Sequence, residues 1–234
     1  PFPPDCPSSA SFPSGIVEDG FAKYQRFEFS GKENVAIGRG GNDGFLQSWR
    51  YFYKIKNEVR KKLTFKSTIQ KQANTFIANV VAADASAVTT IGIHVRHGDL
   101  LKYGYIKFPP DAYFKNAMTY FRNKFVNVRF IVCSDDLNWV KQQTFFKNDD
   151  VRVVTKKHGP SVDMAILVSC DHMIVSVGTF GWWAAYLGAD AKKGGEVVYF
   201  ESEFNMGHKI NKGNVNLADY YPEEWTAMVE APMG

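Results

Sequence analysis

The stretch between residues 89 and 200 alternates short apolar runs with longer helical patterns, and this alternation limits the possible folds most strongly. The apolar runs predict strands at 89–95, 128–134, 151–154, 173–177 and 196–200. The patterns between them predict helices at 111–125, 136–146, 162–170 and 180–187. Parallel strands need a long crossover connection, which is usually a helix. We therefore predict an α/β fold with a mostly parallel, Rossmann-like sheet.

The rest of the chain divides into two predicted regions and a tail. Residues 1–43 form an irregular lead and a partial N-terminal region, with short edge strands at 24–29 and 35–37. Residues 44–87 form a helical segment with helices at 45–63 and 67–83, the second with Ser67 as its N-cap. Residues 88–234 form the Rossmann-like domain, whose tail is predicted to end in a helix near 222–228.

Basic residues are densest between Lys54 and Lys71. Their spacing is typical of a surface helix, and its predicted apolar side consists of Phe52, Ile55, Val59 and Leu63. Over the whole chain, 28 Lys and Arg against 24 Asp and Glu give a net charge of +4. This surplus is too small to indicate a nucleic-acid partner, and it fits a small anionic ligand equally well.

The cysteines and the hydropathy pattern exclude two further classes of protein. Three cysteines are too few and too far apart for a disulfide framework. Cys133 and Cys170 lie within apolar runs and are predicted as core residues, whereas Cys6 lies in a proline-rich start. Because no run of about 18 apolar residues occurs, we expect no transmembrane segment in this chain.

A charged motif follows the first strand of the series. His94-Val95-Arg96-His97-Gly98-Asp99 begins where the apolar run ends and the chain becomes polar. Ligands of open α/β sheets bind at the carboxyl ends of strands, so this motif indicates an anionic ligand with Arg96 as the candidate phosphate ligand. The alternative is a surface ion pair between Arg96 and Asp99 at a turn opened by Gly98.

A second motif occurs later in the series. The predicted strand at 173–177 leads into Gly178-Thr179-Phe180-Gly181, which opens an aromatic-rich helix. A helix that begins in such a small-residue turn presents free backbone N–H groups at its N-terminus, and these suit a phosphate. The sequence therefore places two candidate anion sites at strand ends.

At these two stretches the chain resembles the alpha-1,2-fucosyltransferase family. Members carry an H-x-R-R-G-D block and a later D-x-A-L-L-x-x-C-x-H…G-T-F-G-[FW]-W-A-A-Y-L block, and both occur here in the same order. The segments at 44–52 and 130–136 also resemble the family's G-Y-x-x-S-W and F-V-V-x-S segments. The resemblance therefore extends over about residues 44–199.

The resemblance implies an enzyme of the GT-B fold that transfers L-fucose from GDP-fucose to a hydroxyl of a galactose-ended glycan. It implies an inverting, metal-independent reaction. It also implies that no cofactor is needed, since the donor GDP-fucose is a substrate. The implied location is the Golgi lumen, reached in the family through an N-terminal membrane anchor that is not found in this sequence. Residues 88–234 would then bind the nucleotide-sugar.

The family's functional residues carry over to matching positions here. Arg96 would stabilise the leaving diphosphate, and Asp99 is the nearest carboxylate that could serve as the catalytic base, although turn capping is an equal alternative. Asp163 would accept hydrogen bonds from guanine, or else act as an ordinary first-turn carboxylate. His94 would orient the base or the ribose, or be a structural histidine. The remaining donor-binding candidates are His97, Ser134, Gly178, Thr179, Phe180 and Gly181.

Two departures from the family pattern affect these expectations. The second arginine of the H-x-R-R-G-D block is His97 here, which replaces a permanent cation by a titratable group and predicts weaker, more pH-dependent donor binding. The G-R-x-G-N-Q segment of the family is echoed only superficially by residues 38–42. We therefore expect much of the acceptor-side domain to be missing from this chain.

Two other functions remain open from the sequence. The chain could be a non-catalytic module that binds GDP-sugars or glycans, which predicts GDP binding without transfer. More remotely, His94, His97 and Asp99 could be ligands of a metal-dependent hydrolase. Asp135-Asp136 and residues 148–150 lack the D-x-D spacing of a metal-dependent glycosyltransferase, which favours metal independence.

Overall fold

The computed structural model describes residues 15–16, 36–37, 47–82, 84, 86–155 and 158–229. Within these residues the strands are β1 (Gly15–Ile16), β2 (Ala36–Ile37), β3 (Thr89–Val95), β4 (Val128–Ser134), β5 (Val151–Val153), β6 (His172–Val175), β7 (Val197–Phe200) and β8 (Thr226–Met228). The helices are α1 (Lys56–Lys62), α2 (Ser67–Val81), α3 (Asp111–Lys124), α4 (Leu137–Gln142), α5 (Pro160–Ser169), α6 (Thr179–Leu187) and α7 (Leu217–Tyr220). Short 3-10 helices lie at Trp49–Tyr51, Tyr53–Ile55, Asp99–Tyr103, Thr144–Phe146 and Ala189–Ala191.

Residue contacts divide the chain into two units. The smaller one comprises Pro1–Lys54 with Lys212–Tyr221, and the larger one Ile55–Asn211 with Pro222–Gly234. In the smaller unit, β1 and β2 pair in parallel. The Ser48 hydroxyl donates to the carbonyl of Asp219 at 2.6 Å, and the indole N–H of Trp49 donates to that of Ala218 at 3.0 Å. These bonds attach the Trp49–Tyr51 turn to α7.

The larger unit contains a six-stranded sheet in the order β5-β4-β3-β6-β7-β8. Every neighbouring pair is parallel, which confirms the predicted α/β fold. The chain enters this sheet in the middle at β3, continues outward through β4 to β5, and then crosses back to β6 on the other side of β3. The direction of the chain therefore reverses between β3 and β6, and this switch point is where such sheets bind nucleotides.

The core of the larger unit lies around β3, β4 and β6. Ile91, Ile93 and Val95 of β3 are completely buried, as expected for a central parallel strand covered on both faces. Tyr113 of α3 is also fully buried, and its hydroxyl donates to the carbonyl of Val175 at 2.6 Å. The hydrogen bond of Tyr113 therefore connects α3 to Val175, the last residue of β6, at the edge where the strands end.

Two of the three cysteines lie in the core. Cys133 and Cys170 are buried free thiols, which confirms their prediction as core residues. Cys6 and the predicted strand at 24–29 lie outside the described residues. No helix in the described part of the chain has the length and apolar character needed to cross a membrane.

The predicted apolar face of the basic helix is wrong. In place of one helix over 45–63, two 3-10 turns precede α1, and the Ile55 and Leu63 side chains are 51% and 48% exposed. Instead, α1 attaches through Arg60, whose Nε donates to the carbonyl of Tyr186 at 3.1 Å and whose guanidinium pairs with Asp190. The N-cap of α2 is Lys66, and Ser67 is its first helical residue.

The predicted C-terminal helix near 222–228 is also wrong. Residues Thr226–Met228 form β8, which pairs in parallel with Val198–Phe200 of β7. The edge of β7 would otherwise leave a row of backbone N–H and C=O groups unpaired, and a strand satisfies them where a helix cannot. The only helix of this tail within the described residues is the one-turn α7, which comes earlier.

Candidate functional site

Arg96 lies directly after β3, at the switch point of the sheet. Its backbone N–H donates to the Ser176 hydroxyl at 2.9 Å, and Ser176 is a completely buried residue directly after β6. This bond joins the two strand ends between which the sheet order reverses. Its Nη1 lies 3.0 Å from an Asp135 carboxylate oxygen and its Nη2 2.5 Å from one of Asp99. The ion pair that was the alternative reading therefore exists, at the position where a ligand is expected.

The Asp135 carboxylate occupies an anion-binding arrangement of backbone groups. It accepts hydrogen bonds from the N–H groups of His97 at 2.9 Å and Gly98 at 3.1 Å, in addition to Arg96. Successive N–H groups of this kind form an anion-binding concavity. A Cβ at Gly98 would lie 2.4 Å from the Asp135 carboxylate, so the close approach requires glycine. The Ser134 hydroxyl, another predicted site group, accepts from the N–H of Asp136 at 3.0 Å and shapes the same turn.

His97 is held away from Arg96 by the other side of this turn. Its Nδ1 lies 2.9 Å from a carboxylate oxygen of Asp136, and its ring stacks on Trp139 with centroids 4.7 Å apart. The edge of Phe108 contacts the same ring. The N–H of Trp139 and the His97 ring both lower the pKa of Asp136. The structure therefore places this ring in an aromatic cluster beside α4, and its predicted contact with a diphosphate stays a prediction.

His94 fills the space between β3 and the start of α6. It is buried, its ring stacks on Phe180 at 5.4 Å, and its Nδ1 has no hydrogen-bond partner among the described residues. Burial lowers the pKa of His94 to about 4, so the ring is neutral at pH 7. A Cβ at Gly181 would lie 2.3 Å from this Nδ1, which shows how closely α6 approaches the ring.

The turn before α6 is fixed by a carboxylate that the sequence analysis missed. Gly178 has a φ of 84°, a conformation that favours glycine, and its N–H donates to Oε1 of Glu203 at 2.7 Å. Glu203 is only 1% exposed. The N–H of Gly178 is therefore engaged within the protein, whereas helix geometry leaves the first-turn N–H groups of Thr179, Phe180 and Gly181 without intrahelical acceptors.

Glu203 and Ser176 could have been recognised from their positions relative to strands. Ser176 is the first residue after β6, and Glu203 follows the end of β7 by three residues, so both lie at the carboxyl edge of the sheet. Neither belongs to a motif with a recognisable spacing. Their roles depend on which strands are adjacent, and the sequence alone does not give that information.

Asp163 lies in the first turn of α5, near the end of β4. Its carbonyl is 3.7 Å from the Cys133 sulfur, and its carboxylate Oδ1 is buried without a hydrogen-bond partner among the described residues. Burial raises the pKa of Asp163, and the nearby His158 opposes this effect. A buried carboxylate oxygen that lacks a donor is costly unless a ligand supplies one.

The proposed metal ligands of the hydrolase alternative do not form a site. Within the described residues, which include His94, His97 and Asp99, no group of three or more His, Cys, Asp or Glu side chains could hold a metal ion. The physical reason is that His94 is buried against Phe180, His97 is bound to Asp136, and Asp99 is bound to Arg96. The metal-hydrolase reading is therefore wrong.

Burial of His94 predicts a loss of stability in acid. The unfolded chain protonates this histidine near pH 6.5, whereas the folded chain does so only near pH 4. The difference between these pKa values corresponds to about 3 kcal/mol in the free energy of unfolding. This stability is fully present above pH 6.5 and is lost as the pH falls toward 4. Burial also lowers the pKa of His172, which contributes with the same sign.

Urea unfolding at a series of pH values between 4 and 7 tests this prediction. The His94→Gln protein should show a shallower fall of the unfolding free energy over this range than the wild type, because one of the two groups is gone. Parallel profiles for the two proteins would show that His94 does not carry the effect.

The sequence of the chain is similar to those of galactoside fucosyltransferases. Galactoside 2-alpha-L-fucosyltransferase Sec1 of Mus musculus is 29% identical over 194 residues, which cover 77% of this chain and 49% of the relative. Galactoside alpha-(1,2)-fucosyltransferase 1 of Homo sapiens is 30% identical over 164 residues, 67% of this chain and 44% of the relative. The chain thus spans about half the length of the curated relatives it matches.

Solved structures of fucosyltransferases are also similar. POFUT1 in complex with GDP-fucose matches with a TM-score of 0.48 and 13% identity, over 63% of this chain and 50% of that one. Fucosyltransferase NodZ from Bradyrhizobium matches with a TM-score of 0.44 and 19% identity, over 67% and 52%.

A family model also matches most of the chain. The model of glycosyl transferase family 11 matches residues 39–226, a range that contains Arg96, Asp163 and the turn before α6. Because this match takes in well over half of the chain, the chain belongs to glycosyl transferase family 11, the family of the alpha-1,2-fucosyltransferases that its sequence motifs resemble.

Proposed function

We propose that the chain binds GDP-fucose at the switch point between β3 and β6 and transfers the fucose to a galactose-ended glycan. The observation that carries the proposal is the position of Arg96, whose backbone is held at this point by Ser176, three residues before α6 begins. The names of the similar mammalian relatives support the galactoside acceptor. The same family supports a GT-B architecture and a Golgi location for the whole protein.

The diphosphate of the donor would exchange with the carboxylates that now contact Arg96. A guanidinium has five N–H donors in a planar fork, which matches two phosphate oxygens as well as it matches Asp99 and Asp135. Asp99 is the easier to displace because its side chain is 61% exposed. The first-turn N–H groups of Thr179, Phe180 and Gly181 would complete the site, since a helix N-terminus attracts anions.

The guanine base would contact Asp163. Guanine presents a ring N–H beside an exocyclic amino group, and a carboxylate can accept from both, whereas adenine has no ring N–H on that edge. The unpartnered oxygen of Asp163 supports this role, because the two donors would satisfy it. The unpartnered Nδ1 of neutral His94 would accept one further hydrogen bond from the base or the ribose.

The transfer would proceed by a single displacement with inversion. The bond between the fucose anomeric carbon and the β-phosphate oxygen breaks, and its electron pair leaves with GDP. The acceptor hydroxyl forms the new bond to the same carbon and gives its proton to a carboxylate. Asp99, once released from Arg96, is the proposed base because it is the exposed carboxylate of the motif.

Arg96 and the helix N-terminus would stabilise the leaving group without a metal ion. This part of the proposal is supported by the two neighbouring carboxylates, which are already hydrogen-bonded within the protein instead of being free to bind a cation. Asp135 accepts from two backbone N–H groups and Arg96, and Asp136 accepts from Trp139 and His97. Transfer should therefore continue in the presence of a chelator.

A non-catalytic GDP-sugar binding module is the second candidate function. It is favoured by the ion pair between Asp99 and Arg96, which leaves the proposed base engaged. Incubation with GDP-fucose separates the two candidates, because an enzyme releases GDP and, with a galactoside present, forms a fucosylated product. A non-catalytic module binds GDP-fucose, but it produces neither free GDP nor a fucosylated product.

Removal of the Asp163 carboxylate should abolish the preference for guanine. We expect the wild type to bind GDP more tightly than ADP or UDP, and the Asp163→Ala protein to bind GDP about 10- to 100-fold more weakly, since the donors of the base are left unpaired. Isothermal titration calorimetry with the three nucleotides measures this. Asp149→Ala, which removes an exposed carboxylate, is the matched control. Equal affinity of the wild type for all three nucleotides would refute the assignment.

A further inference from the structure

Two loops at the carboxyl edge of the sheet pair with each other. Ile106 and Phe204 form an isolated antiparallel bridge, flanked by hydrogen bonds from the N–H of Lys107 to the carbonyl of Glu203 at 2.7 Å and from that of Asn205 to Tyr105 at 2.9 Å. The first loop continues from the Arg96 motif and the second follows β7. We call residues 105–107 and 203–205 the edge ribbon.

Side-chain amides connect the two segments of the edge ribbon by hydrogen bonds. Asn211 is completely buried, and its amide N–H groups donate to the carbonyls of Tyr105 and Asn205. The amide of Asn205 donates to the carbonyl of Gly104 at 2.9 Å. The Glu203 carboxylate accepts from Gly178, so the ribbon is attached directly to the turn before α6.

Three aromatic side chains lie on this frame, and the Tyr105 ring is next to each of the other two, tilted by 32° to Tyr103 and by 50° to His208. The centroids of Tyr103 and Tyr105 are 5.9 Å apart, and those of Tyr105 and His208 are 6.1 Å apart. The Tyr103 side chain is 59% exposed. We call these three residues the aromatic platform. The Tyr105 and His208 side chains are partly exposed. Because the Tyr105 carbonyl and the His208 N–H are hydrogen-bonded to neighbouring residues, the backbone positions the platform without covering it.

The platform lies next to the proposed transfer site. Tyr103 is the last residue of the 3-10 helix that begins at Asp99, and the rise of such a helix puts the two residues about 8 Å apart. Burial raises the pKa of Tyr105, and the adjacent Tyr103 hydroxyl and Asp99 carboxylate raise it further. Tyr103 therefore lies close enough to Asp99, the carboxylate that would take the acceptor proton, for one sugar residue to reach both.

From this geometry we propose that the aromatic platform binds a galactopyranose ring of the acceptor by stacking. The proposal rests on the proposed fucosyl transfer and names its acceptor subsite. One face of a β-galactopyranose ring carries several C–H groups without a hydroxyl group between them, so it forms an apolar surface that an aromatic ring can cover. The phenol and imidazole edges can meanwhile bond the surrounding hydroxyls.

Saturation-transfer NMR with methyl β-galactoside tests the platform directly. Saturation of protein aromatic protons should reach the sugar ring in the wild type, and titration should show about tenfold weaker binding in the Tyr103→Ala/Tyr105→Ala double variant, the scale expected for the loss of two aromatic faces. Tyr103→Trp/Tyr105→Phe keeps both faces and should retain binding. Tyr53→Ala, which removes an exposed tyrosine outside the platform, is the control.

GDP calorimetry on the same preparations distinguishes the two proposals. Unchanged GDP affinity in the double variant, together with lost galactoside binding, supports the platform. No transfer of saturation to the sugar in the wild type, or equal transfer in the wild type and the double variant, overturns it. If the wild type binds no GDP, and its galactoside binding still depends on Tyr103 and Tyr105, the donor-binding proposal is refuted and the platform is still supported.

Discussion

Replacement of Arg96 by alanine is expected to weaken GDP binding by about 100-fold or more, or roughly 3 kcal/mol. Ser176 holds the backbone of Arg96 at the switch point between β3 and β6, and the two carboxylate partners of the Arg96 guanidinium are the groups that a diphosphate would replace. Arg96→Lys should keep the charge and still lose most of the affinity, because an ammonium group cannot bond two phosphate oxygens in the same plane.

Calorimetry with GDP measures both variants, and Arg152→Ala is the matched control. Arg152 is an exposed arginine of β5 whose guanidinium bonds the carbonyls of Asp149 and Val151, so its loss should leave GDP affinity unchanged. Thermal unfolding of each protein verifies that it is folded. Full GDP affinity in Arg96→Ala would eliminate the proposed diphosphate site.

Replacement of Gly181 by alanine should destabilise the protein by roughly 1–3 kcal/mol, as overpacking of a close-packed site does. Inside an ordinary helix the same change would stabilise by about 0.5–1 kcal/mol, because alanine is the better helix former. Here the added methyl group would lie 2.3 Å from Nδ1 and 2.8 Å from Cγ of His94. His94 is stacked on Phe180 and cannot move freely, so the clash outweighs the helix propensity.

Urea unfolding at pH 7 gives the sign of this effect. Gly207→Ala is a suitable comparison, since a Cβ there would meet only the Asn205 side-chain oxygen, at 3.6 Å. We expect that variant to stay within about 0.5 kcal/mol of the wild type. Stabilisation by Gly181→Ala would mean that α6 does not approach the His94 ring this closely.

Much of the sheet could be predicted because its strands are buried on both faces. Residues 89–95 and 128–134 form strands with the predicted bounds, since continuous apolar runs between helical patterns have few other solutions. The predictions failed where an element is short or lies at an edge. The three residues of β8 have no periodicity of their own, and they form a strand because β7 offers unpaired backbone groups.

The candidate site shows the same division. Arg96, Asp163 and the turn before α6 could be selected because each follows or caps an element that the sequence reveals. The location of the His97 ring could not, because it depends on Trp139 and Phe108, which are distant in sequence. Glu203 was missed for the same reason, since its bond to Gly178 joins loops that follow two different strands.

The sequence by itself determined the α/β alternation, the two strand-end motifs and the family, because these are local patterns of apolar period and residue type. The tertiary structure alone decided that β6 lies beside β3, which brings Arg96 to Ser176 and Gly181 to His94. It also decided that β7 lies beside β6, which brings Glu203 to Gly178. Strand order is fixed by which faces and edges are buried together, and that free energy belongs to the assembled sheet rather than to any segment of the chain.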